Sequence, residues 1–336
     1  MKLYPMVLTP FVSETVWGGR RLIDEYSVAT DKRNAAEAWV MSAHKNGSST
    51  VANGEFAGKS LREVYLEHPE LGGKNCAGFS DFPVLIKFID AAADLSVQVH
   101  PDDAYCLKKG SGAGKTESWY ILDCEPGAYL LLGFEKDITR EQFRQSITDG
   151  TLTDYVKKVP VKKGDFFFIE SGTLHAICKG ILLAEVQQNS ESGTLHAICK
   201  GILLAEVQQN SDTTYRIYDY GRLGFDGKPR ELHVEDAVNV THTGVYKNPC
   251  TPKKDGNVTN LVACPFFTER VLDVNGSFDG SADEKSFVSL LILDGAGSLE
   301  CAGETLEFSK GGSIFIPANC GDYKINGEAK ILETRV

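Results

Sequence analysis

Residues 164–186 read GDFFFIESGTLHAICKGILLAEV. Glycines at 164, 172 and 180 cut this run into short apolar segments. They are too brief for helices and rich in aromatic and branched residues that favour strands. The same pattern recurs in DFPVLIKFIDA, SVQVH, SWYILD, AYLLLGF and YRIYDY. Many short strands separated by turn residues specify a mainly β protein, a sandwich or barrel with few helices. Two helices are expected. Residues 59–70 place Leu61, Val64 and Tyr65 at helical spacing behind a serine, and residues 139–147 start at Thr139, a suitable N-cap.

A looser stretch, KNPCTPKKDGNVTN at 247–260, reads as a linker before a second strand-rich block from Phe266 to Val336. This divides the chain into residues 1–245 and 246–336. The blocks echo one another: GDFFFI at 164–169 matches GGSIFI at 311–316, and counting on from each first glycine sets His175 opposite Asp322. The expected architecture is two related jelly-roll units, the first carrying a ligand site and the second stripped of it.

Residues 170–190 are repeated without change as 191–211. Structural repeats share a pattern rather than an identity, so this is one segment written twice. The fold can follow copy one, leave on a 21-residue excursion and rejoin at the equivalent residue of copy two. Closing a longer loop costs only about 0.6 kcal/mol per doubling, whereas each buried hydrogen-bonding group left unmet costs about 1–3 kcal/mol. The switch should therefore fall at an exposed turn. Lys179-Gly180, read as a hairpin tip, and Gln188-Asn189-Ser190 both qualify. Either keeps His175 rather than His196 in frame. The first, which is favoured, takes Glu206 into the fold, and the second takes Glu185.

The formal net charge of −11 argues against nonspecific nucleic-acid binding, which needs a basic face. MKLYPMVLTPF has no signal-peptide pattern, and no run approaches the ~18 apolar residues of a membrane span. Nine cysteines in no regular framework suit free thiols in the cytoplasm. The expected partner is a small molecule, with the protein a monomer or homodimer.

Gln98 and His100 lie two apart in a strand-like run and so share a face, as do Lys115 and Glu117 further on. His175 follows a strand and a tight turn. Two imidazoles, a carboxylate and an amide oxygen form a mixed donor set suited to zinc with room for substrate. His44, His68, His233 and His242 have no such company and read as structural or surface residues.

The segments LTPFVSETVWGGRRL, AEAWVMSAH, FPVLIKFIDAAADLSVQVHPDD, GKTESWYILD, KKGDFFFIESGTLHAI and LAEVQQNSDTTYRIYDYGR follow in order from Leu8 to Arg222. Together they resemble the type I mannose-6-phosphate isomerases in their short bacterial form, cupin-type β proteins. Ala36 stands where that family has glycine. Removing one copy of the repeat leaves the length expected of the short form. The resemblance implies two cupin-like units and an aldose–ketose isomerase passing through a cis-enediol. It implies one Zn2+ on Gln98, His100, Glu117 and His175, with Arg216, Lys115 and Glu206 in catalysis. Lys87, Lys115 and Arg216 would grip the sugar phosphate. The alternative is a metal-binding cupin that holds sugar phosphates without turnover, or an isomerase disabled by the duplication.

Overall fold

A computed structural model describes residues 1–79, 81–110, 113–188, 214–223 and 228–336. His196, Glu206 and Cys199 lie outside the described residues.

The expected mainly β architecture is present. A six-stranded antiparallel sheet runs in the order Phe166–Ile169, Glu117–Cys124, Ile181–Gln188, Val84–Ala91, Glu37–Met41, Phe11–Ser13. Facing it is a five-stranded sheet in the order Val156–Pro160, Tyr129–Phe134, His175–Ile177, Val97–Val99, Tyr215–Tyr218. Successive side chains point to opposite faces of a strand. Ile89, Trp119, Ile121 and Leu183 from the first sheet therefore meet Leu130, Leu132 and Ile177 from the second in one apolar cluster between the sheets.

The outer face of the six-stranded sheet is also covered. Ile86, Phe88, Tyr120, Leu122 and Val186 pack with Val271, Leu291, Phe315 and Leu332 of the C-terminal block. Buried on both sides, Val84–Ala91 and Ile181–Gln188 can be nearly continuous apolar runs. Phe82, Phe287 and Phe315 stack across this junction with centroids 5.1–6.1 Å apart.

The C-terminal block has an apolar interior of its own, including Leu290, Ile292, Ile314, Ile325 and Ile331. Its sheet also draws in Met6–Thr9, paired to Ser313–Ile316, and Thr50–Val51. We keep the division at 245/246 as a proposed one that these two N-terminal strands cross. The stretch expected as a linker is partly a hairpin, with Lys253–Asp255 pairing with Val258–Ala263 about a turn at Gly256.

Both expected helices are present, the first shortened at its ends and the second shifted by one residue. Leu61–Glu67 is closed by a reciprocal Ser60/Glu63 cap and Arg140–Thr148 by a Thr139/Gln142 cap. Three further short helices occur at Arg21–Tyr26, Asp103–Lys109 and Val234–Val240. Lys179-Gly180 is not the tip of a hairpin. His175–Ile177 belongs to the five-stranded sheet and Ile181–Gln188 to the six-stranded one, so the turn carries the chain between layers.

Candidate metal centre and active site

Register decides which side chains meet. Across the five-stranded sheet, Leu132, His175, Gln98 and Arg216 are direct partners on adjacent strands, so all four leave one face. Opposite them, Trp39, Lys87, Glu185, Trp119 and Phe167 form a second row, with Glu117 two residues along from Trp119. The Trp119 ring meets His175 edge-on, with centroids 5.3 Å apart, and so joins the two rows.

His100, Glu117 and His175 form a buried cluster with ligand atoms all within 4.8 Å of one another. His175 Nδ1–H donates to the Thr173 carbonyl at 2.8 Å, which leaves the Nε2 lone pair facing the cluster. Gly172 sets up that turn. Its backbone φ is +84°, and a Cβ there would fall 2.7 Å from the His242 ring. His100 Nε2 lies 3.2 Å from Glu117 Oε1, and His175 Nε2 lies 3.8 Å from Glu117 Oε2. Neither His100 nitrogen nor either Glu117 oxygen has a well-aimed hydrogen bond, despite this closeness. The Gln98 amide joins the group, 3.4 Å from His175 Nε2. Buried donor atoms of His100 and Glu117 that converge without hydrogen-bond partners, beside His175 Nε2, fit a divalent cation bound through nitrogen and oxygen.

The charges around the cluster shape each group. Burial, then the charge of Lys115, pushes His100 down to about 3 against the pull of Glu117, so the ring is neutral and able to ligate. Burial likewise lowers His175. For Glu117, burial alone would raise the carboxyl, but Lys115 and then His100 override it and hold it well below the usual range. Lys115 forms an ion pair with Glu117. Burial opposes its charge, yet Glu117 and Glu185 keep the ammonium protonated to higher pH than usual.

Beside the cluster, Lys87 Nζ lies 2.8 Å from Glu185 Oε1, and Trp119 Nε1 donates to Glu185 Oε2 at 3.1 Å. Burial and the charge of Glu117 raise the Glu185 carboxyl. Copy one is thus followed in frame through Gln188, the later of the two expected exits, and the described chain resumes at Thr214. The strand position argued for Glu206 is held by Glu185. Arg216 is buried on the same face as Gln98, with a backbone N–H bond to His233 Nδ1 at 3.2 Å and an Nη1 bond to the Glu231 carbonyl at 3.3 Å.

Two residues escaped the sequence reading. Glu37 is fully buried on the same sheet face as Lys87, accepts a bond from Trp39 Nε1 at 2.7 Å, and is pushed up to about 7 by burial. Its signal was present in AEAWV, where a glutamate and a tryptophan two apart share a face. His233 anchors the Arg216 strand through its backbone contact. A lone histidine in a loop offered no signal of that.

A buried His/Glu/His cluster that could hold a metal ion, set between the sheets of a mainly β fold, points to the cupin class. Comparison with known proteins narrows the class. Residues 6–120 match the family model for the catalytic domain of type I phosphomannose isomerase, and residues 257–336 match the mannose-6-phosphate isomerase cupin domain. A probable mannose-6-phosphate isomerase of Bacillus subtilis is 37% identical, with 98% of each chain covered. The mannose-6-phosphate isomerase of Streptococcus mutans is 36% identical, covering 98% of this chain and 97% of the relative. A crystal structure of the mannose 6-phosphate isomerase from Bacillus subtilis superposes with a TM-score of 0.84 at 33% identity, over 99% of both chains. The chain belongs to the type I phosphomannose isomerases and is an enzyme of that class.

Proposed function

We propose that the chain interconverts D-mannose 6-phosphate and D-fructose 6-phosphate through a cis-enediol, with Zn2+ held by Gln98, His100, Glu117 and His175. The observation that carries this is the buried cluster whose nitrogen and carboxylate atoms converge with His175 Nε2 turned inward. A zinc ion held there supplies Lewis acidity to the sugar oxygens.

The chain's own residues do the rest. Aldose and ketose differ by a proton moved between C1 and C2, so the site needs a proton carrier and fixed positive charge. Glu185 carries the role expected of Glu206. Its carboxyl, raised by burial and by Glu117, is suited to proton transfer, and Lys87 and Trp119 fix its direction. Arg216, permanently charged and fork-shaped, steadies negative oxygens of the enediolate or the phosphate. Lys115 and Lys87 add charge to hold the sugar phosphate, and burial of both strengthens each contact by excluding water. An acidic chain can bind this anion because the cations are gathered at one place. The described cysteines are free thiols, which suits work in the cytoplasm.

The test is to supply mannose 6-phosphate and follow fructose 6-phosphate before and after chelation. Product that vanishes with EDTA and returns with zinc supports the proposal. Folded, zinc-loaded protein that binds the sugar phosphate and makes no product would instead be a binding protein.

A further inference from the structure

Cys301 ends the strand Val288–Cys301, and Cys320 sits in the turn that enters Gly321–Arg335. Both side chains are more than nine-tenths buried, yet Cys301 Sγ–H points at Cys320 Sγ from 3.4 Å. Reaching an S–S bond of about 2.05 Å asks for a little over 1 Å of approach, shared between two side chains. Cys301 also lines a cavity of about 820 Å³ that opens on the surface of the C-terminal block. Asp279, Glu300, Glu304 and Asp322 line this cavity with it, against Lys324. Such a mouth repels anionic oxidants such as glutathione disulfide and admits a small neutral one.

We propose that Cys301 and Cys320 are a modification site that hydrogen peroxide converts to a reversible disulfide. The Cys320 sulfur attacks one peroxide oxygen, the O–O bond breaks, and water leaves once the thiol proton is transferred. The resulting sulfenic acid is then displaced by Cys301. The S–S bond forms, the S–O bond breaks, and a second water carries off the remaining proton and hydroxide. Two electrons pass from the sulfur pair to the peroxide. Cys301 lines the cavity and Cys320 lies just behind it, its sulfur 3.4 Å from that of Cys301 and its chain neighbour Asp322, two residues on, in the cavity wall. Cys320 attacks because the Cys301 S–H bond stabilises its thiolate and lowers it. The link would staple the strand end to the turn around Asn319, remote from the metal cluster in sequence and sheet.

The experiment treats the reduced, zinc-loaded full chain with hydrogen peroxide, then measures intact mass and maps peptides. The expected product is lighter by ~2 Da and contains one peptide pair joined through Cys301 and Cys320, which dithiothreitol separates. It should also melt at a higher temperature than the reduced form. Cys320→Ser should abolish the cross-link. Cys301→Ser, with Cys301→Ala as its fallback, should leave a sulfenic acid on Cys320 that dimedone labels. The inference is overturned if these two thiols persist while other cysteines oxidise, if Cys320 remains unlabelled in the Cys301 variants, or if the link joins two chains.

Discussion

From Gly164 and from Gly311 the chain takes the same path. Both glycines have φ near +87°, and both lead into four-residue buried strands, Phe166–Ile169 and Ser313–Ile316. Eight residues on, Gly172 and Asn319 both turn left-handed. Three residues later the paths diverge in chemistry. His175 is buried against Glu117 and Trp119, while Asp322 is exposed at the rim of the second unit. The local fold is therefore not what makes a ligand. In the first unit, the sheet facing the turn offers Glu117, Lys87 and Glu185; in the second, the interior is filled by Leu290, Ile292, Ile325 and Ile331. What sets His175 apart from Asp322 is the row of charges opposite it.

The comparison breaks most sharply at His175. His175→Ala should strip the bound metal and lower kcat/KM well beyond the ~10–100-fold that outer partners of a ligand cost, whereas His196→Ala should leave metal content and turnover at the level of the unaltered chain. Metal analysis beside a turnover assay reads both.

Truncating the aromatic junction between the units is next. Phe82→Ala, at a residue fully buried against Phe287 and Phe315, should lower unfolding stability by ~3–5 kcal/mol, measured by denaturant titration. A loss of that size would mean the two units unfold together. No loss would mean the C-terminal block stands apart.

Glu185→Gln leaves Lys87 buried without its anionic partner and should cost about 3–5 kcal/mol along with turnover. Glu206→Gln should move neither. Should Glu206→Gln abolish turnover while Glu185→Gln keeps it, the described path through copy one is the wrong one.

Glu269 sharpens the comparison by pH. It rises from the C-terminal block against the back of the strand Glu117–Cys124, where Ser118 Oγ donates to its carboxylate oxygen at 2.6 Å. Burial pushes it up to about 8. An acid raised on folding lends stability that is complete below its unfolded value, near 4.3, and is lost as pH climbs through the folded value. Stability should therefore fall between about pH 4.5 and 8 by a few kcal/mol through this group, and Glu269→Gln should flatten that fall. Smallest of all, Asp322→Ala should change stability by no more than ~0.5 kcal/mol and leave metal content untouched.

Much of this was legible in the residues. Strands announce themselves by apolar runs and glycine punctuation, and both capped helices by Ser60 and Thr139. Gln98 with His100, and Glu117 with Lys115, could be picked out because spacing by two fixes a face, and His175 by the strand and tight turn before it; the structure brings Gln98, His100, Glu117 and His175 together. What escaped is what depends on partners distant in sequence. Nothing in MVLT says that Met6 will pair with Phe315. The turn at Lys179-Gly180 looks the same whether it closes a hairpin or crosses between layers, and that ambiguity misplaced the exit from the repeat. Two copies with identical letters offer no local signal, so only the register of Ile181–Gln188 against Val84–Ala91 sets Glu185 beside Lys87.

Anomalous diffraction at the zinc edge, on crystals of the zinc-loaded full chain, addresses the central claim most directly. The account predicts one strong peak, about 2.0–2.2 Å from a nitrogen of His100, a carboxylate oxygen of Glu117 and Nε2 of His175, with the Gln98 amide alongside. A peak bound by His196, or no peak between the two sheets, would contradict it.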